Sequence, residues 1–192
     1  MRISRGFGEE ERARVAGLYW QAFGAKLGRV MRPEARALAF FERALDPDFA
    51  LVARDARGGL LGVAGFKTDK GALAGGSFGD LRAVYGSWGA LWRAGLLGLL
   101  ERAVEPGILL MDGIFVADAA RGQGLGSALL DAIMDEARKG GARAVRLDVI
   151  DTNPRARSLY ERKGFVATGE EHLGPLRWLF GFRSATRMEC PV

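Results

Sequence analysis

Cysteine and histidine are almost absent from this chain of 192 residues, which has one of each, Cys190 and His172. A single cysteine forms no intrachain disulfide, so a small secreted scaffold held by disulfides is excluded. The same scarcity excludes a zinc site built from cysteine and histidine, and we expect no metal. Because the signature of an oxidising compartment is missing, the sequence predicts a cytoplasmic protein.

The chain also lacks a long uncharged apolar run. Its most apolar region, residues 83–100, contains Arg93 near its middle, where a charge opposes insertion into a bilayer. The first ten residues have no apolar core of the kind that a signal peptide needs. The net charge is +5, from 28 basic and 23 acidic residues, but the arginines are scattered beside acids instead of forming a basic stripe with aromatic residues. We therefore expect neither a membrane-spanning protein nor a nucleic-acid-binding one.

Strand-like runs alternate with amphipathic helical segments along the chain. The patterns predict strands at 2–7, 49–54, 60–67, 108–116, 144–150, 165–168 and 183–190, and helices at 9–27, 33–45, 80–104, 127–139 and 154–163. This order predicts an α/β or α+β fold in which helices pack on a central sheet. The length predicts one domain over residues 1–192.

A glycine-rich run separates one predicted strand from the next helix and reads Arg-Gly-Gln-Gly-Leu-Gly-Ser over residues 121–127. Glycines let the backbone turn tightly and approach a ligand, and the N–H groups that begin a helix favour an anion. Two interpretations account for the run: a binding site for a phosphate-bearing cofactor, or a plain structural turn. A P-loop is excluded because no lysine precedes Ser127. A dinucleotide-binding motif with Asp148 as the ribose ligand is matched imperfectly and stays an alternative.

Two blocks of sequence resemble the GNAT superfamily of N-acetyltransferases. The first, Val116 to Gly126, is similar to the family pattern Val-x-Pro-x-x-Arg-Gly-x-Gly-x-Gly, with Asp118 where proline is frequent. The second, Asn153 to Phe165, is similar to Asn-x-x-Ala-x-x-Leu-Tyr-x-x-x-Gly-Phe. The resemblance implies the GNAT fold, with a mixed, mostly antiparallel sheet of about six or seven strands flanked by helices. It also implies direct transfer of an acetyl group from acetyl-coenzyme A to an amine, without a covalent enzyme intermediate.

The resemblance also implies roles for individual residues. Backbone N–H groups of the glycine-rich run are implied to hold the pyrophosphate of coenzyme A; they belong to Arg121, Gly122, Gln123, Gly124, Leu125, Gly126 and Ser127. The strand at Ile114, Phe115 and Val116 is implied to pair with the pantetheine arm. Asn153 is implied to contact that arm, and Tyr160 to protonate the departing thiolate.

An amine that attacks a thioester must lose a proton, and the sequence offers two carboxylates as the base. Asp148 stands in Leu-Asp-Val, which resembles the Leu-Glu-Val of ribosomal-protein N-terminal acetyltransferases but has a shorter side chain. Asp112 lies on the adjacent predicted strand. Each can act directly or through water, and each can be an ordinary solvated acid, so both assignments stay open. Of the two, replacing Asp148 by asparagine is expected to slow turnover more than replacing Asp112. His172 is predicted in a surface loop over residues 169–176.

The acceptor is not identified by either block, because the segments that bound it lie elsewhere in the chain. Residues 70–106 are expected to form a helical insertion beside the acceptor cleft. The four glycines within residues 83–101 mean that packing must stabilise its helix. Its Trp88 can belong to the core, to a wall of the acceptor site, or to a homodimer contact. A non-catalytic coenzyme A-binding regulator and a dinucleotide-dependent oxidoreductase remain as alternatives to an acetyltransferase.

Overall fold

The computed structural model describes all of residues 1–192 and consists of one eight-stranded sheet with helices on both faces. The strands are β1 (Arg2–Arg5), β2 (Ala50–Arg54), β3 (Leu60–Thr68), β4 (Gly71–Ala72), β5 (Ile108–Val116), β6 (Ala144–Ile150), β7 (Val166–His172) and β8 (Ser184–Pro191). The helices are α1 (Arg12–Met31), α2 (Glu34–Ala44), α3 (Phe78–Gly98), α4 (Leu125–Lys139), α5 (Pro154–Arg162) and α6 (Arg177–Phe180).

The sheet is mixed and mostly antiparallel. Its strand order is β1-β2-β3-β5-β6-β8-β7, and the two-residue strand β4 pairs with the end of β3. Only β5 and β6 run parallel to each other. This arrangement, with helices on both sides, confirms the fold class expected from the sequence.

Each face of the sheet carries its own hydrophobic core. The core on the side of α1, called the α1 face below, includes Val15, Tyr19, Val30, Phe41 and Phe115. The core on the side of α4, called the α4 face, includes Leu129, Ile133, Val145, Leu147 and Tyr160. Helix α4 buries residues at positions three and four apart, the spacing that places them on one side of a helix. The two faces matter below because the chemistry of the site is divided between them.

Helix α3, which lies in the segment expected to be an insertion, is attached to the C-terminal end of α1. The guanidinium of Arg93 donates to the carbonyl oxygens of Val30 (2.9 Å) and Arg32 (3.2 Å), and the Tyr85 hydroxyl donates to that of Met31 (2.5 Å). The last carbonyls of a helix have no partner within it, so these donors satisfy groups that would otherwise be unpaired.

Leu81 and Ala90 of α3 are buried in the α1-face core, whereas the opposite side of the helix faces outward. Trp88 is 84% exposed, which excludes the core role considered for it from the sequence. The helix is kinked at Gly86, whose φ of 71° and ψ of 173° are not helical. None of the helices combines the length and the apolar content that crossing a membrane requires.

Of the predicted boundaries that differ from the structure, two have clear local reasons. Residues Glu9–Glu11 form a 3-10 turn before α1, because the Glu11 carboxylate accepts a hydrogen bond from the Gly8 N–H (3.0 Å). Strand β7 continues to His172, which pairs with Ser184 of β8, so the loop predicted from residue 169 was wrong. The charged residues of β7 are exposed throughout, and a strand without a buried side gives no hydrophobic alternation to recognise.

Candidate active site

Strands β5 and β6 separate from each other and leave a gap in the middle of the sheet. They pair only over Ile108–Leu110 and Ala144–Arg146. Beyond Leu110, β5 remains paired with β3 on its other side as far as Val116. The edge of β5 that faces β6 therefore carries unpaired backbone N–H and C=O groups from Met111 onward. Such an edge suits an extended ligand that contains amides.

A β-bulge in β5 aims one carboxylate into the α1 face. Gly65 of β3 pairs with Gly113 and Phe66 pairs with Met111, so Asp112 is the extra residue. Burial raises the pKa of the Tyr19 hydroxyl above its ordinary value, and the charge of Asp112 raises it further. A Cβ added at Gly113, the next residue of the bulge, would meet the ring of Phe23 in α1 at 2.5 Å, so the bulge lies against the α1 side of the gap.

The glycine-rich run leads from β5 into α4 on the opposite side of the sheet. Gly122 and Gly124 have φ values of 80° and 79°, and a Cβ added at either would meet nothing within 4 Å. The N–H groups of Gly122, Gln123 and Gly124 make no backbone hydrogen bond. Those of residues 125–127 begin a helix and have no partner within it. Six consecutive N–H groups are thus available to an anion, which fits the pyrophosphate expected from the resemblance.

Other groups of the same run stabilise its conformation. The N–H of Arg121 is already bonded to the carbonyl of Asp118 (3.2 Å), and the Arg121 guanidinium forms an ion pair with the carboxylate of that residue (2.8 Å). The side chain of Gln123 donates to the carbonyl of Ala119 (3.2 Å). Arg121 therefore differs from the other six residues, because its N–H is not free.

Helix α5 brings the second sequence block to the α4 face. Asn153 caps the helix, since its side-chain oxygen accepts a hydrogen bond from the N–H of Ala156 (3.2 Å). Tyr160 is buried in the α4-face core with its ring 6.0 Å from that of Phe165. Burial raises the pKa of the Tyr160 hydroxyl to about 12, so this phenol keeps its proton at neutral pH. Leu159 of the same helix lies against Gly126, which brings α5 next to the glycine-rich run.

The two candidate bases lie in different electrostatic surroundings. Asp148 is ion-paired with Arg102 (3.0 Å) and is 3.7 Å from the buried guanidinium of Arg146. The Oδ2 atoms of both Asp112 and Asp148 are buried without a hydrogen-bond partner, but only Asp148 has guanidinium groups within 4 Å. Burial raises the pKa of Asp112 above its ordinary value of 3.8, while the charges of Arg102 and Lys67 oppose that increase. A carboxyl with a raised pKa is better suited to accept a proton near neutral pH than a carboxylate held by two guanidinium groups.

A lysine that the sequence reasoning did not single out joins these carboxylates. Burial lowers the pKa of Lys26 to about 8; the charge of Arg102 lowers it further, and Asp148 opposes the change. The Lys26 ammonium also lies 5.0 Å from the centre of the Phe182 ring. Lys26 follows Tyr19 and Phe23 at helical spacing, and that spacing was the available signal that it faces the interior. No group of three or more histidine, cysteine or acidic side chains is placed to hold a metal ion.

The model of the acetyltransferase (GNAT) family matches residues 13–165 of the chain. The protein belongs to the GNAT family. A curated relative, Acetyltransferase Atu2258 of Agrobacterium fabrum, is 42% identical over 82 residues, which are 43% of this chain and 54% of the relative. The chain thus aligns with about half of that relative's length.

Two solved structures with low sequence identity show the same fold as this GNAT protein. The N-acetyltransferase from Staphylococcus aureus Mu50 superposes with a TM-score of 0.70 at 14% identity, covering 99% of this chain and 100% of the other. A Bacillus subtilis acetyltransferase solved in complex with CoA gives a TM-score of 0.52 at 16% identity, covering 74% and 76%. The GNAT membership and the GNAT fold expected from the two sequence blocks are therefore confirmed.

Proposed function

We propose that this GNAT protein transfers the acetyl group of acetyl-coenzyme A to an acceptor amine by direct attack. The arrangement around the gap between β5 and β6 carries the proposal. A set of free N–H groups and a protonated tyrosine lie on the α4 face, and a buried carboxyl with one unpartnered oxygen lies on the α1 face. An amine and a thioester that meet in the gap therefore have a base on one side and an acid on the other.

The residues of the α4 face fit coenzyme A. The six N–H groups of residues 122–127 suit its pyrophosphate, and the unpaired edge of β5 at Ile114, Phe115 and Val116 suits its amide-bearing arm. Acetyl-coenzyme A, when bound, supplies an acetyl thioester. The presence of CoA in the related Bacillus subtilis structure supports this assignment.

Asp112 is the proposed general base. Its carboxylate is on the α1 face, has an oxygen without a hydrogen-bond partner, and has a raised pKa. Asp148 is proposed instead to position Arg102, with which it is already ion-paired, and the neighbouring Lys26. A base of this kind takes the proton of an ammonium group and leaves a nucleophilic amine.

Tyr160 is the proposed general acid. Its hydroxyl is protonated at neutral pH and belongs to the face that holds the glycine-rich run. A phenol can protonate a thiolate leaving group with which it is in contact, so Tyr160 completes the transfer. A backbone N–H of the unpaired β5 edge near Val116 is proposed to stabilise the negative charge that develops on the acetyl oxygen.

The test is the release of free thiol from acetyl-coenzyme A in the presence of an amine panel that includes peptides, polyamines and amino acids. We expect release with at least one amine, and mass spectrometry should find one added acetyl group on that amine. Binding of coenzyme A without release on any amine would support the regulatory alternative. Binding of a nicotinamide dinucleotide in place of coenzyme A would support the oxidoreductase.

A further inference from the structure

The structure contains a cavity of about 430 Å³ that is lined mainly by polar and charged residues. It lies between the C-terminal part of α1, the end of β6 and the connection from β7 to β8. The lining residues that matter here are Arg29, Asp151, Arg177, Trp178, Phe182 and Arg183. They come from three separate parts of the chain.

The cavity has an excess of positive charge that the chain does not neutralise. Three arginines line it against one aspartate, which leaves two net positive charges. None of the three arginines forms an ion pair with a carboxylate of the chain. The Asp151 carboxylate is held at the wall by the backbone N–H of Arg183 (3.3 Å). Guanidinium groups gathered without partners around a concave surface are a recognition site for carboxylate or phosphate.

The cavity adjoins the proposed chemistry and is separate from the coenzyme A site. Phe182 lines it and also contacts the Lys26 ammonium, so the two regions share a wall. Arg29 follows Lys26 by three residues, about 4.5 Å along the helix axis. Asp151 follows Asp148 by three residues, about 10 Å along an extended chain. Helix α1 and Phe182 belong to the α1 face, whereas the glycine-rich run leads into the α4 face.

We propose that this arginine cavity binds an anionic group of the acceptor. The acceptor is then an amine that also carries a carboxylate or phosphate, which the cavity arginines hold. The proposal rests on the proposed function, because it concerns the second substrate of that reaction. It narrows the acceptors left open by the sequence, since polyamines and other purely cationic amines lack the required group.

The test compares acceptors that differ only in the anionic group. The carboxylate probe is 5-aminovalerate. In its control, 5-aminovaleramide, an uncharged amide replaces the carboxylate, and in 3-aminopropyl phosphate a phosphate replaces it. We expect the wild-type protein to favour the better of the two anionic amines over the amide by at least about 10-fold in kcat/KM. Comparison of the carboxylate and phosphate probes identifies the preferred anion.

Substitutions of the cavity arginines make the test specific. Arg29→Gln and Arg183→Gln should each raise KM for the preferred anionic amine about 10- to 100-fold, and leave KM for the amide and for acetyl-coenzyme A unchanged. Arg57→Gln is the matched control, because Arg57 is exposed in the hairpin between β2 and β3. Arg29→Lys keeps the charge but loses the planar fork, so its KM should lie between those of the wild type and Arg29→Gln.

Calorimetric binding of the three probes without acetyl-coenzyme A separates this proposal from the proposed function. If an anionic probe binds selectively and both glutamine variants lose that binding, the anionic subsite is supported. This conclusion holds even if no probe is acetylated, and that result would refute only the proposed acetyl transfer. Acetylation of all probes with equal KM overturns the anionic subsite and leaves the transfer standing. A raised KM for acetyl-coenzyme A in the variants also overturns it, because the cavity would then belong to the cofactor.

Discussion

Replacing Asp112 by asparagine should change stability and activity in opposite directions. The folded protein buries this carboxyl with one oxygen unpartnered, which opposes ionisation and raises its pKa above 3.8. An asparagine of the same size carries no charge. A buried, unsatisfied polar group lowers the free energy of unfolding by about 1–3 kcal/mol. We expect the substitution to restore an amount in the lower part of that range, because the amide of asparagine is also polar. For a domain of this size, about 1 kcal/mol corresponds to an increase in Tm of about 2–4 °C.

The pH dependence of this gain follows from the raised pKa. Above pH 3.8 the unfolded chain loses the proton of Asp112 while the folded chain retains it until its higher pKa is reached. The wild-type protein therefore loses stability as pH increases through that interval. The Tm advantage of Asp112→Asn should be absent near pH 4 and complete above the folded pKa.

Activity should respond in the other direction. Loss of a general base lowers kcat by about 10²- to 10⁴-fold, and the remaining rate should increase with pH as the free amine becomes more abundant. Thermal melting at several pH values and thiol release on the same preparations measure both effects. Asp69→Asn, at an exposed turn, is the control and should change neither. A lower Tm for Asp112→Asn would refute the burial argument, and a kcat within a few-fold of the wild type would refute the role as base.

Three further outcomes are expected. Tyr160→Phe should lower kcat by about 10²- to 10⁴-fold with a nearly unchanged KM for acetyl-coenzyme A, and a smaller loss would mean that water replaces the phenol. Asp148→Asn should destabilise the protein by about 1–3 kcal/mol, because Arg102 and the buried Arg146 lose a partner; an unchanged urea midpoint would contradict this. Arg93→Ala should cost about 2–4 kcal/mol by leaving carbonyls at the end of α1 unpaired, and equal melting curves would contradict it.

The sequence predicted those parts of the fold that depend on neighbours along the chain. The helix after Gly124 follows from apolar residues at helical spacing, and α5 follows from Asn153 at the cap and Pro154 in the first turn. The glycine-rich run and the tyrosine block were recognisable because their patterns are local. Tyr160 and the run were therefore predicted together as parts of one site.

Contacts between distant segments could not be predicted in the same way. The bulge at Asp112 depends on its register with β3, and the pairing of Asp148 depends on Arg102, which comes from the loop before β5. The sequence consequently favoured Asp148 over Asp112 as the base, whereas their surroundings favour Asp112. The arginine cavity is assembled from α1 and from residues about 150 positions later, and no local pattern connects them.

The exposure of one side of α3 could not be predicted from the sequence pattern either. The apolar residues of this helix were compatible with a place in the core, in a wall of the acceptor site or in a homodimer contact. What decides Trp88 is that Tyr85 and Arg93 attach the helix to the end of α1 and leave Trp88 outside. Single-sequence periodicity indicates which side of a helix is apolar but not whether another element covers it.

Binding of coenzyme A at the glycine-rich run is tested most directly by calorimetry on a matched pair of variants, Gly124→Asn and Gly124→Asp. The φ of 79° at Gly124 is one that asparagine and aspartate tolerate, and a Cβ there meets no neighbour, so the two variants differ chiefly in charge. We predict that the wild-type protein binds coenzyme A but not NADPH. The affinity of Gly124→Asn for coenzyme A should be within a few-fold of that of the wild type. Gly124→Asp should bind coenzyme A at least about 10-fold more weakly, because its carboxylate repels the pyrophosphate. Equal affinity of the two variants for coenzyme A, or binding of NADPH in its place, would contradict the assignment.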